Sequence, residues 1–340
     1  LKGPASALYG PDAAGGVVQI FTRRGTQGFS PFAAVTLGRN SYRELSAGLS
    51  GGQDNVRYAL GVSHTDDKGF SSTNPTVPFG NYNPDRDAFK QKAFNASVDW
   101  QLNSDWKLSA GAVYADGTNH FDDGPGVDTK SDARTTVLRA GVEGRITPDW
   151  TTRLNYNQGT DRSNALVSAS AFNIPGLFET QQDQWTWQND VKTPIGTVVA
   201  GAKTLLQKVN SSTAYTVTER RINAVFAGLS GTASGHSWQL NARRDDNSQF
   251  GGSSTGYAGY GYQFNPNWRA HAGYGTSFVA PSFNQLYWPG FGNALLEPEE
   301  GKNLEFGVDW TQDNHHVKLI RFDNKIRGFI TSGRAPVNLP

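Results

Sequence analysis

The sequence predicts an all-β chain that forms a transmembrane antiparallel β-barrel. Three observations support this prediction. Apolar and polar residues alternate with a period of two along many segments. Tight turns alternate with long polar connections, and aromatic residues stand at the ends of the predicted strands. Strands of this kind, joined by short turns at one end and long loops at the other, are typical of barrels that cross a membrane.

The alternation is clearest in five segments, namely residues 94–102, 106–114, 138–146, 238–243 and 304–310. Successive side chains of a strand point to opposite faces, so each segment has one apolar and one polar face. The longer segments approach the roughly ten residues that a tilted membrane-spanning strand needs. Strands of soluble sheets are more often about five or six residues long. The pattern therefore favours a barrel over the alternative, a soluble β-sandwich.

The connections differ in length in a regular way. Three tight turns, 103–105, 147–149 and 265–267, are each followed at once by tryptophan: Trp106, Trp150 and Trp268. The long connections are predicted at about 66–88, 116–132, 160–182 and 277–300. We count about fifteen strands between Phe32 and Phe329. Since single-chain bacterial barrels close with an even number of strands, we expect further strands after Pro340.

The composition excludes several other classes of protein. No apolar run approaches the roughly 20 residues of a transmembrane helix. The net charge is +1, which gives no sign of a nucleic-acid partner. Without cysteine there is no disulfide, thiolate metal site or cysteine nucleophile. The six histidines show no H-E-x-x-H spacing. We therefore expect no enzyme; the alternative, an outer-membrane hydrolase, lacks a nameable nucleophile–base pair.

The first segment is glycine-rich and carries an ordered motif whose positions are Gly3, Pro4, Tyr9, Gly10, Gly15 and Gly16. It resembles the end of the plug domain of TonB-dependent outer-membrane receptors, and the match is specific because the motif is long. The resemblance implies that residues 1–25 are the C-terminal end of a plug. Residues 26–340 would then be the β-barrel. Within the plug end, Val17–Phe21 is predicted to be a buried strand.

A second motif lies near the other end of the chain, at Ala280, Pro281, Gln285, Leu286 and Tyr287, followed by Pro298 and Glu299. It resembles a barrel motif of the same receptors, and residues 244–251 are similar to a segment of their cobalamin transporters. The resemblance thus covers the whole chain. It implies a barrel of the 22-strand type, incomplete here, that passes the bacterial outer membrane many times. The TonB box and most of the plug would lie before Leu1.

By this resemblance, the expected function is energy-coupled uptake of a scarce, bulky small molecule. Cobalamin is the first choice of substrate and a ferric siderophore the second. A passive outer-membrane channel is the remaining alternative. The implied partners are the TonB energy-coupling protein, reached through the N-terminal box, and outer-membrane lipid.

Two acidic loops are candidates for a metal site. One contains Asn83, Asp85 and Asp87, and the next contains Asp122 and Asp128. Side chains at i and i+2 of an extended segment share a face, and Ca²⁺ takes six to eight oxygen ligands. Cobalamin transporters bind calcium in such loops, so the resemblance implies Ca²⁺ here.

Two neighbours of these acids, Phe121 and Asp123, are predicted to contact substrate. Ser71 stands where the resemblance leads us to expect an aspartate, which predicts a weaker calcium site. The alternative is that the acidic residues are ordinary solvated turn residues.

Overall fold

A computed structural model describes residues 10, 13, 17–71, 73–76, 82–127, 129–167, 175–331 and 336–339. The described chain is one antiparallel sheet of fifteen strands in sequence order, each paired with its neighbours along the chain. This confirms both the predicted fold class and the predicted number of strands. None of the helices in these residues has the length and apolarity needed to cross a bilayer.

The strands are β1 (Gly28–Leu37), β2 (Arg43–Gln53), β3 (Val56–Asp67), β4 (Phe89–Gln101), β5 (Trp106–Phe121), β6 (Thr129–Thr147), β7 (Trp150–Leu166), β8 (Gly176–Thr193), β9 (Gly196–Ser211), β10 (Glu219–Ala233), β11 (His236–Asn247), β12 (Gly251–Gln263), β13 (Trp268–Val279), β14 (Glu299–Gln312) and β15 (His315–Arg327). A short 3₁₀ turn, Arg39–Ser41, follows β1, and a five-residue helix, α1 (Phe283–Tyr287), lies between β13 and β14.

The register separates an apolar from a polar face. Phe94 of β4 lies opposite Tyr114 of β5, and Trp100 lies opposite Leu108, so these side chains share a face. The other face is the inner one, because Ser97 on it donates a hydrogen bond to the Arg23 carbonyl (3.3 Å). The apolar belt on the outer face includes the exposed or half-buried residues Phe94, Val98, Trp100, Leu108, Tyr114, Leu240, Phe306 and Val308.

The strands on one side of the sheet are longer than the sequence pattern predicted. β5 to β9 contain 16 to 19 residues each, because pairing continues beyond the apolar belt into segments that are polar on both faces. Two predicted loops are correspondingly short, 122–128 and 167–175. Paired strands satisfy their own backbone hydrogen bonds, so the ladder needs no apolar face to continue. The loops at 68–88 and 280–298 keep nearly their predicted lengths.

The segment Val17–Phe21 differs from the prediction of a buried strand. It has no regular secondary structure, and Val18, Ile20 and Phe21 are 90%, 87% and 82% exposed. No described strand runs beside it, and a strand forms only with a hydrogen-bonded neighbour. The following residues do contact the inner wall, where Arg139 donates to the Thr22 hydroxyl (3.2 Å).

The inner face of β5 to β8 is lined by charged side chains that pair with one another. Glu143 accepts hydrogen bonds from Lys107 (3.0 Å) and from Arg153 (2.6 Å). Arg153 also forms an ion pair with Asp190. This side of the wall therefore carries a network of long polar side chains that project into the lumen.

The inner face of β12 to β14 is built differently, because many of its positions are glycine. Tyr257 fills the space over two of them: a Cβ on Gly259 would lie 2.7 Å from its hydroxyl, and one on Gly273 would lie 2.9 Å away. In the same way the His271 ring occupies the space over Gly307. The large inward side chains of this wall therefore lie along the sheet.

Candidate functional site

The acidic residues lie in the loops between β3 and β4 and between β5 and β6, which we call the acidic loops (68–88 and 122–128). The first loop folds back on itself near its start. The Phe70 carbonyl accepts a hydrogen bond from the Asp87 amide (3.3 Å). Gly69 has φ +61°, and a Cβ there would overlap the Asp87 carbonyl oxygen, so only glycine fits.

Three carboxylates from the two loops converge. Asp85, Asp87 and Asp122 each offer an oxygen atom, and these atoms all lie within 4.8 Å of one another. The Oδ1 atom of Asp122 is buried and accepts no hydrogen bond from the described residues. A buried carboxylate oxygen without a donor is costly unless a cation is present. The geometry is therefore that of a cluster of carboxylates in which, among the described residues, Asp122 Oδ1 has no donor.

Ser71 lies inside this group. Its hydroxyl oxygen is 3.1 Å from Asp122 Oδ2 and 2.9 Å from the Asn83 carbonyl oxygen, and its one proton can be donated to either acceptor. The position therefore does face the cluster, with a neutral hydroxyl where the resemblance led us to expect a carboxylate. One fewer negative charge means weaker attraction for a cation.

Asn83 connects the two loops. It is 7% exposed, its side-chain oxygen accepts a hydrogen bond from the Gly126 amide (3.0 Å), and its side-chain nitrogen donates to the Val127 carbonyl (3.4 Å). This side chain already fixes the distance between the loops. Its role as a metal ligand stays a prediction.

The charge of the cluster affects the ionisation of Asp85. Burial of the carboxyl raises the pKa of Asp85, and the neighbouring charges of Asp122 and Asp87 raise it further. Like charges at this distance disfavour the ionised form of each carboxyl. A bound divalent cation would reverse this effect, because it attracts the carboxylates that otherwise repel one another.

Oxygen atoms only, with several carboxylates among them, fit a hard divalent cation such as Ca²⁺. Asp128, the fifth predicted ligand, lies outside the described residues. The predicted substrate contacts are next to the cluster: Phe121 ends β5 on the inner face, and Asp123 is half-buried in the loop that follows. Their role toward substrate stays a prediction.

The second motif forms a compact structure, which we call the helical loop (280–298). Ser282 caps α1 by accepting a hydrogen bond from the Gln285 amide (3.2 Å), and the Gln285 side chain accepts one from the Ser282 amide (2.8 Å). The other motif residues hold the loop in place, and three of them are buried: Ala280, Pro281 and Leu286. The Tyr287 hydroxyl accepts a hydrogen bond from Gln249 (2.9 Å), and Glu299 accepts one from the Ile330 amide (2.7 Å). The Pro298 carbonyl packs beside Gly328.

Sequence reasoning missed the side chain that holds this loop in place. Arg220 of β10 is 4% exposed and donates hydrogen bonds to the Pro281 carbonyl (2.8 Å) and to Gln249 (2.5 Å). Its guanidinium also lies over the rings of Phe283 (4.9 Å) and Phe250 (5.3 Å). A local signal could not have shown it, because its hydrogen-bond partners lie 29 and 61 residues away along the chain.

Of the first motif, Gly10 lies among the described residues, whereas Gly3, Pro4, Tyr9, Gly15 and Gly16 do not. Gly10 is buried with φ +102° against the guanidinium of Arg243, where a Cβ would lie 3.2 Å from Nη2. Arg243 is itself buried in a two-bond ion pair with Asp245 (2.8 Å each). The motif glycine thus allows the backbone to approach the inner wall closely.

Comparisons with known proteins agree with this fold. A family model described as "TonB dependent receptor-like, beta-barrel" matches residues 167–340, which is 174 of the 340 residues. The vitamin B12 transporter BtuB of Photobacterium profundum is 30% identical over 337 residues, covering 96% of this chain and 53% of that protein. The chain thus spans about half the length of this relative.

Solved structures show the same architecture. The ferric enterobactin receptor PfeA of Pseudomonas aeruginosa matches with a TM-score of 0.81 at 17% identity, covering 99% of this chain and 59% of the receptor chain. The siderophore receptor PirA of Acinetobacter baumannii matches with a TM-score of 0.79 at 16% identity, covering 97% and 57%. The chain therefore belongs to the TonB-dependent receptors and forms part of a β-barrel in the bacterial outer membrane.

Proposed function

We propose that this protein takes up a scarce, bulky nutrient across the outer membrane by an energy-coupled mechanism, and that the nutrient is cobalamin. The observation that supports this proposal best is the convergence of Asp85, Asp87 and Asp122 from two loops. One relative, BtuB of Photobacterium profundum, is a vitamin B12 transporter. Ca²⁺ is the cofactor that the oxygen-only site fits.

The cluster would act on substrate affinity through order. Without a cation the carboxylates repel one another, and the described hydrogen bonds between the two loops include those of Asn83 and Ser71. With Ca²⁺ bound, the loops are fixed before substrate arrives. The protein then loses less conformational freedom when substrate binds, which raises its affinity for substrate. Phe121 and Asp123, beside the cluster, are the residues we expect to contact it.

Transport itself would be conformational, without covalent chemistry. The TonB protein would act on the plug, whose end we place at residues 1–25, with the barrel at 26–340. The described contacts of Gly10, Thr22 and Arg23 with the inner wall are those that such a movement would have to break.

A ferric siderophore is the second candidate substrate. Electrostatics separates the two candidates, because a ferric chelate with net negative charge would be repelled by acidic loops that lack Ca²⁺. A passive channel is the third candidate, and it would show no high-affinity binding of either molecule.

The test is equilibrium binding of cyanocobalamin and of ferric enterobactin to the full-length protein, each with Ca²⁺ and with a calcium chelator. We expect cyanocobalamin to bind, and to bind more tightly with Ca²⁺. Binding of ferric enterobactin alone would reject cobalamin and leave energy-coupled uptake standing. Cobalamin binding that ignores the chelator would reject the role of calcium.

A further inference from the structure

The sheet divides between β12 and β13 at its long-loop end. The backbone ladder that joins these two strands ends at the pair Tyr257–Gly275. Each strand nevertheless stays in the sheet on its other side, because β12 remains paired with β11, and β13 with β14, up to their outer ends. An opening therefore lies in the wall between residues 251–256 and residues 276–279, and we call it the wall gap.

Both edges of the wall gap present backbone groups to it. The Gly256 amide donates a hydrogen bond to the Thr276 hydroxyl (2.9 Å), and among the described residues this is the one hydrogen bond that joins the two edges. Backbone groups of alternate residues in a strand point to the same side, so those of Gly252 and Ser254 also point into the gap. On the facing edge the register directs those of Thr276 and Phe278 into it. Unpaired edges of this kind are templates for another strand.

A cavity of about 1000 Å³ occupies the wall gap. This volume is at the upper end of the range of about 300–1,000 Å³ that ligand pockets have. Besides the two edges, the cavity is lined by parts of the helical loop, of β14 and β15, and of the segment that follows them: Leu296, Pro298, Lys302, Arg327 and Leu339. The gap thus has walls and a defined volume, and it is large enough to hold a ligand.

The wall gap lies outside the apolar belt. On β13 and β14 the last outward pair of exposed apolar side chains is Tyr274 with Leu304, and the next outward pair is Thr276 with Lys302. The gap begins at this second pair, on the long-loop side. Backbone groups without partners are tolerated in water but not in hydrocarbon. The opening is therefore at the aqueous surface.

The β12 edge is the more accessible of the two. Gly252 and Ser254 are exposed, whereas Phe278 on the facing edge is 7% exposed. Small side chains leave the backbone of β12 open to a neighbour. Continued in register, the ladder would run from Gly256 to Gly252 on this edge, a length of about five residues.

The charges around the wall gap indicate the kind of segment that it fits. Two acids, Glu297 and Glu300, are balanced by two bases, Lys302 and Arg327. An excess of either sign would favour a charged partner, because charges across an interface are complementary. A strand edge binds through backbone donors and acceptors, which an extended peptide provides. The lining therefore fits an uncharged peptide in the β conformation.

We propose that the wall gap is a docking site for a partner protein at the cell surface, which adds an uncharged, extended segment of about five residues as a strand along the β12 edge. In strand addition the main-chain hydrogen bonds provide affinity, and pockets for alternate side chains provide specificity. The β13 edge lies on the other side of the added segment. The site is outside the lumen, so it is independent of the transported substrate.

The test uses the full-length protein and a labelled pentapeptide, acetyl-Thr-Val-Thr-Val-Thr-amide, whose β-branched residues favour the extended conformation. Fluorescence anisotropy measures binding, and hydrogen exchange follows the amides of Gly252 and Ser254. We expect saturable binding, and we expect saturating peptide to slow exchange of these two amides at least about tenfold, because they gain hydrogen-bond partners. The same peptide with every amide N-methylated keeps its side chains, loses its donors and should bind at least about tenfold more weakly.

Two substitutions at one position separate the backbone from the side chain. Ser254→Pro removes the amide that faces the gap and should weaken peptide binding about fivefold, the equivalent of about 1 kcal/mol. Ser254→Ala keeps this amide and loses only the hydroxyl that accepts a hydrogen bond from Arg244 (3.1 Å), so it should bind as the wild type does. Heat-modifiable migration on a gel checks that both variants are folded.

Several results would overturn the proposal. They are the absence of saturable binding up to about 1 mM peptide, equal binding of the N-methylated peptide, and equal weakening by the two Ser254 variants. Slow exchange of the Gly252 and Ser254 amides without peptide would do so as well. The edge would then be covered by the protein itself or, if exchange slows only at high protein concentration, by a second copy. Competition by cyanocobalamin would place the peptide in the lumen and also overturn it.

Discussion

Two structures cover the long-loop end of the sheet, and they are held together in opposite ways. The helical loop has a small apolar core of Leu286, Leu296 and Ile330, and it is fastened by the buried Arg220. The described residues of the acidic loops form no such core, and at their centre are carboxylates that repel one another.

This difference indicates which of the two structures needs a ligand in order to be ordered. The helical loop is held by the positive charge of Arg220 on β10, which lies against two aromatic rings and the Pro281 carbonyl, so we expect its folding to need no ligand. In the acidic loops, by contrast, the buried Oδ1 atom of Asp122 accepts no hydrogen bond from the described residues. We therefore expect the first to be ordered under all ordinary conditions and the second to be ordered by a cation. The experiments that follow test this contrast, from the largest expected effect to the smallest.

Arg220→Ala should loosen the helical loop most. The substitution removes the donor to the Pro281 carbonyl and the cation over two rings, at a cost of about 2–4 kcal/mol in the local opening free energy. Hydrogen exchange of the amides in α1 measures this directly. Arg221→Ala, at the adjacent outward position, is the control and should leave α1 unchanged. Equal exchange in wild type and Arg220→Ala would show that the apolar core alone holds the loop.

Asp85→Asn/Asp87→Asn should weaken Ca²⁺ binding by at least about tenfold for each carboxylate removed, because cation affinity depends on the number of charged ligands. Calorimetric titration of the full-length protein gives the affinity. Asp149→Asn, in a tight turn at the opposite end of the strands, is the control. If the double variant binds Ca²⁺ as the wild type does, these aspartates are ordinary turn residues.

Ser71→Asp should have the opposite effect and strengthen Ca²⁺ binding by roughly tenfold, since it adds a carboxylate within reach of Asp122. In the presence of chelator the same variant should exchange its loop amides faster than the wild type, because the added charge increases repulsion. The two measurements must change in opposite directions. A variant that binds Ca²⁺ no better would place position 71 outside the coordination sphere.

Acidification should change the order of the acidic loops and leave the helical loop unchanged. Because the pKa of Asp85 is raised, the folded loops favour its protonated form. In chelator, the stability that this protonation gives to the loops is fully present below the ordinary pKa of an aspartate. It is lost as the pH rises through the raised pKa of Asp85. Protons therefore compete with Ca²⁺, so its affinity should fall between about pH 7 and about pH 4. The acidic-loop amides, followed by hydrogen exchange in chelator, should be better protected at the lower pH.

The helical loop should show no such response. Burial raises the pKa of Tyr215, whose hydroxyl donates to Asn284 (2.7 Å), to about 12, so the tyrosine stays neutral at physiological pH. Its contribution to stability is present below its usual pKa of about 10 and is lost only as pH rises through about 12. A change in α1 protection between about pH 4 and about pH 7 would contradict the contrast.

Tyr287→Phe should give the smallest effect. It removes a hydroxyl that accepts one hydrogen bond from Gln249, which is worth about 1 kcal/mol. The loss should appear as slightly faster exchange in α1, with Ca²⁺ affinity unchanged. Any effect on Ca²⁺ binding would mean that the order of the acidic loops depends on the helical loop.

The sequence was sufficient for most of the fold and for part of the site. Strict alternation predicted which face of β4 and β5 is apolar, because side-chain direction in a strand follows from position alone. The spacing of Asp85 and Asp87, together with the position of Asp122 in the next loop, predicted that the three would meet. Ser71 was identified as a departure, and its hydroxyl does lie in the cluster.

Other features depended on contacts between distant parts of the chain. No pattern in the sequence shows that Pro281, Phe250 and Phe283 surround Arg220. Asn83 was predicted as a ligand from its place in the acidic loop, and the sequence did not show that its side chain bridges the two loops through Gly126. The strand predicted at Val17–Phe21 was wrong, because propensity identifies a segment that can pair but not whether a partner lies beside it.

The glycine-rich inner wall of β12 to β14 determines the bore of the lumen on that side. Because Gly259, Gly273 and Gly307 have no side chains, the rings of Tyr257 and His271 lie in the space that Cβ atoms would otherwise fill. A single methyl group added at any of these positions would turn a ring away from the sheet and toward the axis. The lumen is therefore wider on this side because these three residues are glycine, and alanine, usually the mildest replacement, would narrow it.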